Sequence, residues 1–129
     1  MEINGTNDSE SLNGGVENDS IQGFSGNDSL FGGVGDDSLV GGFGDDIFNG
    51  GAGADIFVYQ QLNGSGARTD TDTIVDFELG VDRIDVSILE INDFDDLLEI
   101  IEDNANGDAI ISSFSEFDTN NLIIRVVGK

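Results

Sequence analysis

Six acidic residues spaced nine apart carry the clearest chemistry in this chain: Glu10, Asp19, Asp28, Asp37, Asp46 and Asp55. Carboxylates offer oxygen to hard cations, and nothing in the composition redirects them, because the chain has no histidine and no cysteine. That removes Ser-His-Asp and Cys-His nucleophiles, histidine or thiolate zinc sites, disulfides and redox pairs. Adjacent acids at Asp36-Asp37, Asp45-Asp46 and Asp95-Asp96 could in principle serve glycoside hydrolysis, which uses two carboxyl groups. The in-phase acids read more simply as cation ligands, and Asp36 and Asp45 as solvated turn residues. Asp95 and Asp96 suit the start of a helix, where negative charge meets the positive end of the dipole. No catalytic residue is expected.

The acids sit in a nonapeptide that recurs six times between Gly5 and Val58: GTNDSESLN, GGVENDSIQ, GFSGNDSLF, GGVGDDSLV, GGFGDDIFN and GGAGADIFV. Glycine opens each copy, the acid holds place six, and place eight is apolar (Leu12, Ile21, Leu30, Leu39, Phe48, Phe57). A period of nine with one obligatory apolar residue is neither helical nor a plain alternating strand. A flexible Gly/Ser linker would not keep both residues in phase. A short strand and a tight turn fit it, with two copies making one coil of eighteen residues. Stacked strands lie about 4.8 Å apart, so residues eighteen apart lie one above another. Two files of acid result, Glu10–Asp28–Asp46 and Asp19–Asp37–Asp55. Like charges at that spacing repel unless a cation sits between them. Calcium takes oxygen at roughly 2.3–2.6 Å, so an ion midway between rungs reaches both carboxylates.

These copies resemble the GGxGxDxUx repeat of the RTX calcium-binding β-roll. The resemblance implies an all-β parallel β-roll with a small α+β cap on its C-terminal side, holding about four calcium ions. Each ion takes the acid and the place-two and place-four carbonyls of one loop. The loop one coil on adds its acid and its place-one and place-three carbonyls. Carried over, the Asp37–Asp55 site uses Gly33, Gly35, Gly50 and Ala52, and the Asp28–Asp46 site uses Phe24, Gly26, Gly41 and Phe43. The Asp19–Asp37 site uses Gly15, Glu17, Gly32 and Val34. Places one, two and four are expected to need glycine for sharp turns with positive φ. Asp8 and Glu17 at place four, and Thr6 and Phe24 at place two, would then be strained. Glu10 carries an extra methylene, which makes the Glu10–Asp28 site the weakest expected.

Residues 59–129 differ in character, so the boundaries are a roll over 1–58 and a capping, secretion-type region over 59–129 of one continuous domain. The phrase Asp72-x-Ile74-x-Asp76-Phe77-x-x-Gly80-x-Asp82-x-Ile84-Asp85-Val86-Ser87 resembles the stretch that follows the roll in serralysin-type proteases. It predicts two short strands about a turn at Gly80, with Asp72, Asp76 and Asp82 as candidates for one further ion. Phe94, Leu97, Leu98 and Ile101 keep helical spacing up to a stop at Gly107. Ile110 to Phe114 and Leu122 to Val127 predict a hairpin turned at Asp118 to Asn121.

Twenty-seven acids against four basic residues give a formal charge of −23, which disfavours nucleic acid and anionic membranes as partners. No apolar run reaches membrane-spanning length, and no N-terminal signal is seen. The resemblance implies a bacterial protein that leaves the cell through a type I secretion apparatus. The expected function is calcium-triggered folding in support of secretion and folding of a larger protein. The alternative is an accessory module that binds a polysaccharide for an extracellular enzyme.

Overall fold

The computed structural model describes residues 1–58, 71–78 and 80–85 in full, and the strand backbone of 99–100, 109–115 and 118–128. Each nonapeptide contributes a strand, as the period of nine requires. The chain enters through β1 (Glu2–Asn4), β2 (Ser11–Gly15), β3 (Ser20–Ser25) and β4 (Ser29–Val34). It continues through β5 (Ser38–Phe43), β6 (Ile47–Ala52) and β7 (Ile56–Val58). Successive strands alternate between two parallel sheets, so a strand pairs with the one eighteen residues on: Ile21 opposite Leu39, Leu30 opposite Phe48. This is the stacking that the repeat length predicts, a parallel β-roll.

The core is two facing files of place-eight side chains. One sheet supplies Ile3, Ile21, Leu39, Phe57 and Ile84, and the other Leu12, Leu30, Phe48 and Ile74. From Ile21 to Phe57, and again at Ile74, these residues are buried; Ile3, Leu12, Phe77 and Ile84 pack against them. Phe48 meets Phe57 edge to face with ring centroids 5.9 Å apart, a geometry that rings favour. Ile3 stands nine residues before Leu12 and extends the place-eight file ahead of the first full nonapeptide, pairing with Ile21.

Both sheets run past Val58. The two strands expected about Gly80 are β8 (Thr71–Phe77) and β9 (Arg83–Asp85), and Gly80 has φ +84°. They do not pair with each other: β8 lies parallel to β6, and β9 parallel to β7. Ile74 and Ile84 thereby take place-eight positions in one more coil.

Three strands extend the β8 sheet: β10 (Glu99–Ile100), β11 (Ala109–Ser115) and β12 (Asp118–Gly128). The hairpin is present as β11 and β12, but Ser115 already faces Asp118. The expected turn residues, Asp118 to Asn121, are thus the first of a strand, because the pairing runs on to the end of β11. β12 also lies parallel to β8. Most of the expected helix from Phe94, with its stop at Gly107, lies outside the described residues. Within it, Glu99 and Ile100 are extended and pair antiparallel with Ser112 and Ile111. An available strand edge overrides helical spacing at those positions.

Candidate metal centre

The acid files form as the stacking predicts, and each rung is fastened to the next by a fixed hydrogen bond. The Glu10 N–H donates to Asp28 Oδ1 (2.8 Å), Asp19 to Asp37 (2.7 Å), Asp28 to Asp46 (2.9 Å) and Asp37 to Asp55 (3.0 Å). The files then continue beyond the repeats, since Asp46 donates to Asp72 Oδ1 (2.9 Å) and Asp55 to Asp82 Oδ1 (3.0 Å). All these aspartates are buried. Their second oxygens are the notable atoms: Oδ2 of Asp28, Asp37 and Asp55 is buried without a hydrogen-bond partner. A buried ionised carboxylate with an unsatisfied oxygen is costly. Burial accordingly pushes the carboxyls of Asp28 and Asp37 above the usual range. Asp55 is pushed up to about 6, by burial first and then by the charges of Asp82, Asp37 and Asp76 against a backbone hydrogen bond.

Glycine at place one makes room for those oxygens rather than for a turn. A Cβ on Gly32 would collide with Asp37 Oδ2 and sit 2.5 Å from the Gly50 carbonyl oxygen of the coil above. Gly23, Gly41 and Gly50 are in the same position against Asp28, Asp46 and Asp55. Positive φ belongs to places two and four: Gly33 (+109°), Gly35 (+133°), Gly51 (+91°) and Gly53 (+133°). The expected strain at Thr6, Asp8 and Glu17 does not occur, for among the described non-glycine residues only Phe24 (+76°) has positive φ. The first two loops simply take another conformation. Thr6 N–H donates to Glu10 Oε2 (2.6 Å), and the extra methylene of Glu10 is what lets its carboxylate reach back.

The place-five residues are not merely solvated. Their side-chain oxygens form a second ladder that runs the other way, accepting from the coil above. Ser9 Oγ accepts from Asn27 N–H (2.9 Å), Asn27 Oδ1 from Asp45 (3.0 Å) and Asp45 Oδ1 from Thr71 (2.8 Å). Asn18 and Asp36 do the same toward Asp36 and Ala54, at 2.9 Å each. The signal was present in the sequence, since place five holds Asn or Asp in four copies.

The expected trio Asp72, Asp76 and Asp82 is dispersed: Asp72 and Asp82 are rungs of separate files, and Asp76 serves elsewhere. Its Oδ1 and Oδ2 accept the N–H groups of Gly50 (2.9 Å) and Gly51 (2.7 Å). Asp76 falls at a bulge, where the register of β8 against β12 slips by one residue. No three acidic side chains converge among the described residues. Any cation must therefore draw most of its ligands from main-chain carbonyls. Buried unpartnered carboxylate oxygens beside carbonyls suit a hard ion such as calcium.

A stacked roll with inward acids facing main-chain carbonyls is the architecture of an RTX repeat module. The family model for the C-terminal region of the M10 serralysin peptidases matches residues 3–129, and the chain belongs to that family. Two solved structures are similar, both subunits of the Azotobacter vinelandii mannuronan C5-epimerase. The solution structure of AlgE6R3 is 28% identical with TM-score 0.72, covering 94% of this chain and 72% of that one. The solution structure of AlgE6R2 is 27% identical with TM-score 0.73, covering 100% and 85%. No curated protein matches the chain significantly.

Proposed function

We propose that this chain is a calcium-binding module that folds when it meets calcium outside the bacterial cell, and so supports type I secretion and folding of a larger protein. The observation that carries this reading is the set of buried, unpartnered Oδ2 atoms on Asp28, Asp37 and Asp55. With the metal absent, a chain of formal charge −23 must bury these three Oδ2 atoms without a partner, and burial free energy alone does not favour that. Calcium supplies the missing positive charge and fills its shell with carbonyls. Its binding energy then becomes folding energy.

In this reading Asp37 and Asp55 hold one ion with the carbonyls of Gly33, Gly35, Gly50 and Ala52. Asp28 and Asp46 hold another with those of Phe24, Gly26, Gly41 and Phe43. Asp19 and Asp37 hold a third, with Gly15, Glu17, Gly32 and Val34. Equilibrium dialysis against calcium tests it, with several ions expected per chain. Magnesium should substitute poorly, because it prefers near-octahedral shells at about 2.0–2.1 Å and sheds its water reluctantly. A chain that binds no calcium, or that binds magnesium equally well, would refute the reading.

A second reading keeps the module and adds a polysaccharide as its ligand. It is favoured by the two similar structures being subunits of an epimerase that acts on mannuronan. A glycan array probed in calcium, with no retained polysaccharide, would exclude it.

A further inference from the structure

An asparagine stands directly before a place-one glycine at Asn4-Gly5, Asn13-Gly14 and Asn49-Gly50. That pair has a reaction of its own. The glycine nitrogen attacks the side-chain amide carbon of the asparagine, a five-membered succinimide closes through the new N–C bond, and ammonia leaves. Water then opens the ring at either carbonyl, giving aspartate or isoaspartate. Glycine favours the attack because no side chain shields its nitrogen and its backbone turns freely.

The fold closes this route. All three asparagines lie in strands, β1, β2 and β6, where a ψ of about +115 to +135° turns the next nitrogen away from the carbon it must reach. Attack requires the peptide to rotate, and hydrogen bonds oppose the rotation. Gly5 N–H donates to the Gln22 carbonyl (2.8 Å). Gly50 is held by a side chain instead: its N–H donates to Asp76 Oδ1 (2.9 Å), and Gly51 N–H donates to Oδ2 of the same carboxylate (2.7 Å). A carboxylate is far too weak a base to take an amide proton, so Asp76 fixes the peptide without activating it. β6 also has β4 on one side and β8 on the other, whereas β1 and β2 are the outer strands of their sheets.

From these placements we infer that Asn49-Gly50 is a self-modification site, open in the unfolded chain and locked in the folded one by the Asp76 carboxylate. The product is not neutral for the fold. Isoaspartate adds a methylene to the main chain within β6. Phe48 and Asp55, which stand before and after it, then cannot both keep their stacked positions, because register in a sheet admits no fractional shift. A chain left unfolded therefore loses, irreversibly, its capacity to close the roll. That calcium sets this time limit rests on the folding function proposed above. That folding and Asp76 protect Asn49 does not.

The test is peptide mapping for aspartate and isoaspartate in the full chain aged in calcium and in chelator, with circular dichroism on the same samples. In chelator Asn49 should convert as fast as it does in a short peptide of the same sequence. In calcium it should convert about a hundredfold more slowly or less, because an inner strand must open first, and Asn13 in an outer strand should convert faster than Asn49. Asp76→Ala should raise conversion at Asn49 in calcium by about tenfold and leave Asn13 unchanged. Equal conversion of folded and unfolded chains at Asn49 would overturn the inference, as would an unchanged rate there in folded Asp76→Ala. A β signal in both solutions would sink the calcium function alone, and the same comparison between urea and buffer then decides on this site. Should Asp76→Ala not fold, amide exchange on the unaltered chain decides. Gly50 N–H must exchange more slowly than Gly14 N–H, and the reverse order would overturn the lock.

Discussion

Asp37 is the residue with most at stake. Its Oδ1 accepts Asp19 N–H, its own N–H is held by Asp55, and its Oδ2 is unpartnered and buried. It therefore borders two gaps, whereas Glu10 stands at the end of its file and borders one, with its Oε2 already accepting the Thr6 N–H. Asp37→Ala should lose two ions and Glu10→Ala at most one, as isothermal titration with calcium would count. Equal losses would contradict the stacking of the files. The glycines separate in the same way. Gly15 and Gly33 both hold place two, so sequence alone treats them alike. Gly33 has φ +109° and its Cβ would collide with the Gly15 carbonyl, while a Cβ on Gly15 would meet nothing within 4 Å. Gly33→Ala should cost about 2 kcal/mol or more in calcium, from backbone strain and the clash. Gly15→Ala should be neutral or stabilising by up to about 1 kcal/mol, through a less flexible unfolded chain. Thermal melts in calcium would show it.

Among the elements, whatever followed the repeat was legible and whatever depended on partners was not. The phase of place eight placed Ile21, Leu30, Leu39, Phe48 and Phe57 in the core, and all are buried. Two inward positions per coil leave little freedom in register. The rungs at Asp72 and Asp82 were harder to see, because they fall 26 and 27 residues after their partners rather than eighteen. The longer steps come from the connection before β8 and from the bulge at Asp76. The Asp76 carboxylate takes two glycine N–H groups in a role that no spacing rule marks. Glu99 and Ile100 kept helical spacing yet pair as a strand, since local periodicity carries no information about the neighbouring edge. The β11–β12 hairpin covers the edge of β8, and an uncovered edge invites association. Deleting residues 86–129 should give a weaker, less cooperative calcium response or aggregation, measured by calcium titration and light scattering. An unchanged midpoint and slope would show that the roll needs no cover there.

At the scale of the whole molecule, the metal-free chain must accommodate a charge of −23 around a narrow core. Protons can substitute in part for metal. The folded-state pKa values of Asp28, Asp37 and Asp55 lie above their ordinary values, that of Asp55 at about 6. The folded form thus binds more protons than the unfolded one between the two values. This contribution to stability is fully present below the unfolded value, about 3.9, and is lost as pH rises through about 6. In chelator, β structure should increase as pH falls from 7 to 4, and calcium affinity should fall over the same range. A circular dichroism titration that stays flat in chelator would contradict the proton argument.

The central claim is that calcium and folding are one event, and small-angle scattering of the chain in chelator and then in excess calcium tests it most directly. A compact chain of 129 residues has a radius of gyration of about 14 Å and an unfolded one about 37 Å. The account predicts a collapse from near the larger value to near the smaller one at neutral pH, reversed by chelator. A compact radius in chelator that calcium leaves unchanged would contradict it.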